Sequence, residues 1–186
     1  MNLQHGFHFE LPDWLITTIS EGPQSSLSDE QQMALVIELS RKNIGQGGGP
    51  FAALVINRAD MSIVGAGVNL VTSRNLSCAH AEIVAISMAQ QNLDCYRLSD
   101  KGDFQLVTSC EPCAMCFGAI PWSGVNRLLC GASKQHAEAI GFDEGPKLDS
   151  WISALEMRGI EVETGILEAE AAAVLAEYAQ TTGLLY

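Results

Sequence analysis

The sequence predicts an α/β chain, a three-layer α/β/α domain around a mixed five-stranded sheet. Two observations carry that prediction. Short apolar runs with strand character alternate with segments whose apolar residues recur at helical spacing, in the order α-β-β-α-β-α-β-α-(α)-β-α. Alternation of this kind puts helices on both faces of a sheet, because each element must bury its apolar side against another layer. Length agrees: 186 residues at 47% hydrophobic composition suit one domain with a real core, and no internal repeat interrupts it.

Residues 1–27 read as an irregular N-terminal extension, with Pro12, Gly22-Pro23 and a serine cluster, although Trp14, Leu15 and Ile16 offer groups that could dock against the body. Residues 28–186 read as the working domain. Ser28-Asp29-Glu30-Gln31 has the form of a capping box, in which Ser and Gln each satisfy the other's backbone amide at a helix start. Met33, Val36, Ile37 and Ser40 then recur at helical spacing to about Asn43, and Gly45 to Pro50 stops the helix. Phe51 to Asn57 and Ser62 to Val68 are strand-like runs joined by a short polar turn, which predicts a hairpin. A helix opens at His80, with Ile83, Val84, Ile86 and Met88 as apolar positions. Phe104 to Ser109 predicts a strand, and Pro112, tolerated at helix starts, leads into a helix at Cys113. A strand from Val125 to Gly131, a short helix from Ser133 and an acidic loop over residues 141–150 follow. A helix at Ser150 to Arg158, a strand near Ile160 to Thr164 and an Ala/Glu-rich helix from Leu167 to Gln180 finish the chain.

The formal charge is −12, from 22 acidic and 10 basic residues. Nucleic-acid binding rests mainly on Lys and Arg neutralising phosphates, so a small neutral substrate fits this balance better than a polynucleotide. No apolar run is long enough for a transmembrane helix, and Met1 to Trp14 lacks the basic and apolar regions of a secretory signal. A cytoplasmic location without membrane attachment is expected. Three of the six cysteines crowd into residues 110–116, which favours metal binding over disulfides. Cys130, in an apolar run, reads as a small buried hydrophobe.

The chemistry is carried by His80-Ala81-Glu82 and Pro112-Cys113-Ala114-Met115-Cys116. His80, Cys113 and Cys116 supply one imidazole nitrogen and two thiolates, donors that zinc takes in a tetrahedron. Three protein ligands leave the fourth position to water, the arrangement of a catalytic site. One Zn2+ per chain would lower the pKa of that bound water to roughly 7, providing hydroxide at neutral pH. Glu82, free of the metal, can carry the proton to a ring nitrogen and then to the departing amine. This H-x-E…P-C-x-x-C pairing is the signature of zinc nucleobase deaminases. Both motifs fall at predicted helix N-termini, where a cysteine loses its proton more readily.

Blander readings stand beside these. A closed structural zinc site could recruit Cys110 as a fourth ligand. Cys110-x-x-Cys113-x-x-Cys116 also resembles part of an iron–sulfur run, but no fourth cysteine follows in residues 117–124. A dithiol redox site would use neither His80 nor Glu82. Gly47-Gly48-Gly49 precedes a strand and lacks Lys-Ser/Thr, so it reads as a turn bringing backbone near the site instead of a phosphate loop. His5 and His8 read as surface histidines and His136 as solvated. The stripe from Leu167 to Gln180 reads as a packing face. Trp122 suits either a base pocket or the core.

Together these residues resemble the cytidine/deoxycytidylate deaminase superfamily over about Gly48 to Asp143. Thr108-Ser109-Cys110-Glu111-Pro112-Cys113-Ala114-Met115-Cys116-Phe117-Gly118-Ala119-Ile120 is similar to its purine-acting branch. Within that branch the likeness is to the bacterial guanine deaminases. Gly48-Gly49-Pro50-Phe51, Gly67-Val68-Asn69 and the run from Ala137 to Glu144 support it. The resemblance implies a cytidine-deaminase-like fold and a homodimer, with C-terminal segments exchanged in some relatives. It implies that Asn69 hydrogen-bonds the base, that Ala81 touches substrate, and that Glu144 binds substrate and serves as a second catalytic acid. It also implies that Tyr186 could reach over the site.

Physical sense supports a second acid, because the amidine-like amino group of guanine needs another proton to leave as ammonia. A solvated loop carboxylate is the plain alternative for Glu144, and a turn-capping role for Asn69. The chain departs from compact relatives by its longer N-terminus, and by glutamate where some carry aspartate. The expected activity is hydrolysis of guanine to xanthine and ammonia. Alternatives are an aminotriazine, cytosine/cytidine or adenine deaminase, a tRNA adenosine deaminase, or a non-catalytic zinc protein.

Overall fold

The computed structural model describes residues 6, 9–22, 26–181 and 183–185. Its first helix corrects the reading of residues 1–27 as irregular: α1 spans Asp13–Glu21. Ile16-Thr17-Thr18-Ile19 is β-branched and a weak helix former, which hides the element from propensity. Packing supplies what propensity lacks. Leu15 is fully buried in the layer that holds Met33 and Val36, and Trp14 and Ile19 pack against it. Lys42 Nζ binds Thr18 Oγ1 at 2.8 Å and sits over the Trp14 ring.

The capping box forms as the sequence predicts, with Ser28 N–H donating to Gln31 Oε1 at 2.9 Å and Gln31 N–H to Ser28 Oγ at 3.3 Å. It opens α2, Asp29–Gly45. The hairpin follows as β1, Ala52–Asn57, and β2, Ser62–Val68. A single turn, α3, covers Val71–Arg74 before α4, Ala81–Asn92. After a 3-10 turn at Leu98–Asp100 come β3, Phe104–Cys110, and α5, Ala114–Ser123. Then β4 spans Arg127–Ala132, α6 Lys134–Ala139, α7 Trp151–Glu156, β5 Glu161–Glu163 and α8 Glu168–Ala179.

The five strands form one sheet in the order β2-β1-β3-β4-β5. β1 runs antiparallel to β2 and β3, while β3, β4 and β5 are parallel. Strands alternate their side chains between faces. Leu54 and Ile56 enter the layer with α2 and α8, whereas Ala53 and Val55 enter the layer with α4, α5 and α7. Both faces are covered, so β1 and β3 read as near-continuous apolar runs. At one end of the sheet Arg127 bridges Asp29 at 2.8 Å and Glu163 at 2.6 Å, tying α2 to β5. The other end, where the parallel strands β3 and β4 finish at Cys110 and Ala132, carries the chemistry, as open α/β sheets commonly arrange it.

Helix α4 comes close enough to β2 to be placed by a glycine. A Cβ on Gly67 would stand 2.3 Å from the Ala81 carbonyl oxygen and 2.5 Å from the Ala85 nitrogen. These are backbone atoms at the start of α4 and cannot turn aside. Gly67→Ala is therefore expected to cost about 1–3 kcal/mol, read as a lower urea midpoint, and to lower zinc content by pushing His80 away from the cysteines. Unchanged stability would mean that α4 is held by other contacts. Among the described residues no helix is long and apolar enough to cross a membrane.

Candidate active site

Two helix starts face one another. His80 is the N-cap of α4 and Cys113 the N-cap of α5, both in extended backbone with no side-chain capping bond. Their side chains are thus turned to each other, with His80 Nδ1 3.5 Å from Cys113 Sγ. Cys116, one turn into α5, completes a cluster in which the donor atoms of His80, Cys113 and Cys116 all lie within 4.8 Å of one another. Cys110 is not in that cluster. Its thiol donates to the Ser133 carbonyl at 3.6 Å, and burial pushes its pKa well above the ordinary thiol value. The fourth-ligand reading for Cys110 therefore fails, and the site keeps only three protein donors among the described residues. All six cysteines are free.

The electrostatics suit a cation. A hydrogen bond from Cys116, assisted by His80, outweighs burial and lowers the Cys113 pKa to about 4, making it a thiolate at neutral pH. Cys116 is pushed up as the donor to Cys113, and burial adds to the shift. For His80, burial opposes the charged form, but the Cys113 hydrogen bond and the Glu82 charge outweigh it and the pKa rises. One imidazole, one ready thiolate and one thiol fit zinc in donor type and in number.

The carboxylates stand close by. Glu82 lies in the first turn of α4, 7% exposed, and burial first, with the Cys113 charge second, raises its carboxyl pKa. Glu144 is equally buried, and burial together with the charges of Cys113 and Glu82 pushes it up to about 8 against the opposing pull of Lys147. Its Oε2 has no hydrogen-bond partner among the described residues. Glu82, Glu144, Asn69, His80 and Cys113 line one narrow cavity, with Phe51 and Phe142 as apolar walls meeting edge to face at 4.9 Å. Ala81 is fully buried behind this cavity and does not line it.

Asn69 does what its turn-capping reading requires, since its Oδ1 accepts from Val71 N–H at 3.2 Å. It also lines the cavity, so capping the turn does not remove it from the site. Sequence reasoning missed the residue that places it. Asn43, buried at the end of α2, donates from Nδ2 to the Gly49 carbonyl at 2.8 Å and to the Asn69 carbonyl at 3.0 Å. The triple glycine serves this contact, because a Cβ on Gly48 would lie 2.3 Å from Asn43 Nδ2. The only signal was an asparagine four residues before the triple glycine. Trp122 belongs neither to the base pocket nor to the core, being 78% exposed. The buried face of α5 is Cys116, Ile120 and Ser123, and helical geometry turns Trp122 away from it. His136 is half-exposed, within 2.9 Å of Ser133 Oγ. His5, His8 and Tyr186 lie outside the described residues.

A mixed sheet carrying a His/Cys/Cys cluster and a buried glutamate at its helix N-termini defines a zinc deaminase. The family model for the cytidine and deoxycytidylate deaminase zinc-binding region matches residues 26–132, and the chain belongs to that family. A solved structure of guanine deaminase from Nitrosomonas europaea is 45% identical, with a TM-score of 0.91 over 97% of this chain and 100% of that one. The Bacillus subtilis guanine deaminase is 37% identical over 119 residues, 63% of this chain and 73% of that protein. A tRNA-specific adenosine deaminase of Haemophilus influenzae is 33% identical over 156 residues, 82% of this chain and 83% of its own length.

Proposed function

We propose that this chain hydrolyses guanine to xanthine and ammonia, with His80, Cys113 and Cys116 as the zinc ligands. One zinc ion per chain would be held by these three donors and, with a bound water, would supply the Lewis acidity that makes water nucleophilic near neutral pH. Asn69 hydrogen-bonds the base and fixes its face toward Glu82. Glu82 takes a proton from the water and passes it to the ring nitrogen adjoining C2, readying C2 for attack by the hydroxide left behind. That protonation weakens the ring C=N bond and makes C2 the electrophile. Glu144 supplies the proton that the exocyclic amine needs to leave as ammonia, and the proton lost from the C2 hydroxyl as the carbonyl forms restores the neutral acid. Ala81, behind the cavity, contributes through its backbone to holding His80 and Glu82 in register.

One observation carries the choice of guanine: a second buried carboxyl with an unpartnered oxygen, in the same cavity as Glu82. The chain's charge supports a small neutral substrate over tRNA. Arg41, Arg58, Arg74, Arg127, Lys134 and Lys147 are all paired with the chain's own carboxylates, leaving little for a phosphate backbone. The reading includes a cytoplasmic homodimer, which light scattering would test.

The deciding experiment is ammonia release by zinc-loaded protein offered guanine, adenine, cytosine, cytidine and tRNA. Guanine is expected to turn over well above the others. Glu144→Gln should lower kcat by about 10² or more with little change in KM. Activity confined to a tRNA adenosine would overturn the proposal.

A further inference from the structure

No step of the proposed reaction uses Lys147, yet its side chain is only 1% exposed in a loop that is otherwise acidic. Burying an ammonium group is costly unless each face finds a partner. Here three do. Its Nζ donates to the Pro112 carbonyl at 2.8 Å, lies 3.4 Å from Glu111 Oε2, and sits 4.5 Å from the centre of the Trp151 ring. Glu111 is held in turn by the backbone N–H of Lys134 at 3.3 Å. Two of the three partners therefore belong to the turn that delivers Cys113.

The same two segments meet twice more. Ala114 N–H, the first of α5, donates to the Glu144 carbonyl at 2.8 Å. Gly145 approaches so closely that a Cβ on it would stand 3.1 Å from the Ala114 Cβ. The loop bearing Glu144 is thus fastened to the metal turn through the backbone of Glu144 itself and, three residues on, through Lys147. Between the two anchors the Glu144 side chain has one oxygen, Oε2, with no hydrogen-bond partner among the described residues.

We propose that Lys147 is a positioning residue that locks the acid loop to the Cys113 turn, so that the Glu144 carboxyl group and the Cys113 sulfur hold one relative placement. Its charge also faces a cluster that gathers Glu82, Glu144, His80 and the Cys113 sulfur. The inference rests on the roles proposed above for Glu144 and Cys113. An apolar side chain of similar length could fill the space, but it would strand the Pro112 carbonyl and the Glu111 carboxylate. Arginine would keep the charge in a planar fork that suits a carboxylate better than a single carbonyl.

The test pairs Lys147→Met with Glu144→Gln in zinc-loaded protein and repeats Lys147→Met in cobalt-substituted protein. Lys147→Met is expected to lower kcat for guanine about 10- to 100-fold, to leave KM nearly unchanged and to shift the cobalt–thiolate absorption. In the Glu144→Gln background the same replacement should cost little further, because the group it positions is already gone. Full multiplicative loss in that background overturns the proposal, and so does an unchanged cobalt spectrum. Failure of the underlying reading looks different: Glu144→Gln would then keep wild-type kcat, and the cobalt spectrum alone would decide the tie between Lys147 and the metal turn. Should the Met variant not fold, Lys147→Gln, whose amide can still donate to the Pro112 carbonyl, takes its place in the double-mutant test. Multiplicative loss with Glu144→Gln overturns the proposal there too.

Discussion

Zinc-loaded Glu82→Gln protein should lose about 10²- to 10⁴-fold in kcat while keeping its zinc and its fold. Among the described residues the metal cluster comprises His80, Cys113 and Cys116, so the replacement removes no ligand from it. Gln matches Glu in shape and can still hydrogen-bond, but it cannot take a proton from water and return it to the base. Glu82 is suited to both directions because burial raises its pKa toward the working pH. The sign for stability follows from the same shift. A carboxyl whose pKa is raised by folding stabilises the fold at low pH, and that contribution is lost as pH rises through the folded value. In the zinc-free chain the charged form, once pH has risen past that value, works against folding. The zinc-free Gln variant should therefore melt no lower than zinc-free wild type. Ammonia release, metal content and thermal unfolding measured on one preparation settle the matter. Turnover within a few fold of wild type would end the assignment of Glu82 as the proton carrier.

The fold was legible wherever one residue pattern had one physical meaning. The Ser28–Gln31 capping box formed as read, and the hairpin from Ala52 to Val68 lies within a residue of its expected bounds. His80 and Cys113 fall at helix starts as the motifs imply, because extended backbone before a helix is what turns both side chains toward a common point. Failures came where tertiary contact decides. Helix α1 owes its existence to the burial of Leu15, which its β-branched sequence does not advertise. Trp122 looked like a wall because tryptophan is large and apolar, but its position on α5 points it to solvent. Asn43 and Lys147 were invisible for another reason. Each acts by hydrogen-bonding a carbonyl in a distant segment, Asn43 that of Asn69 and Lys147 that of Pro112, and such a contact leaves no spacing in the sequence to find.

Cys116→Ala should abolish zinc retention and bring turnover below detection, leaving a chain that still folds. Cys116 is fully buried, and alanine fills most of its place without adding a polar group. The more discriminating measurement is on wild type. Cys113, with its pKa lowered to about 4, is already a thiolate at neutral pH and has no proton to give up. Cys116 is a thiol held well above the ordinary value, so it must surrender a proton when the metal binds. His80 is raised, so below its pKa it surrenders a second. Zinc affinity should accordingly rise about tenfold per pH unit above the raised His80 pKa, one proton being displaced, and more steeply below it, where two are. Competition against a chromophoric chelator across that range reads the slope directly. A flat profile would require both cysteines to be thiolates in the metal-free site, with no proton left on Cys116 to donate to Cys113. The low pKa of Cys113 would then lose its leading cause.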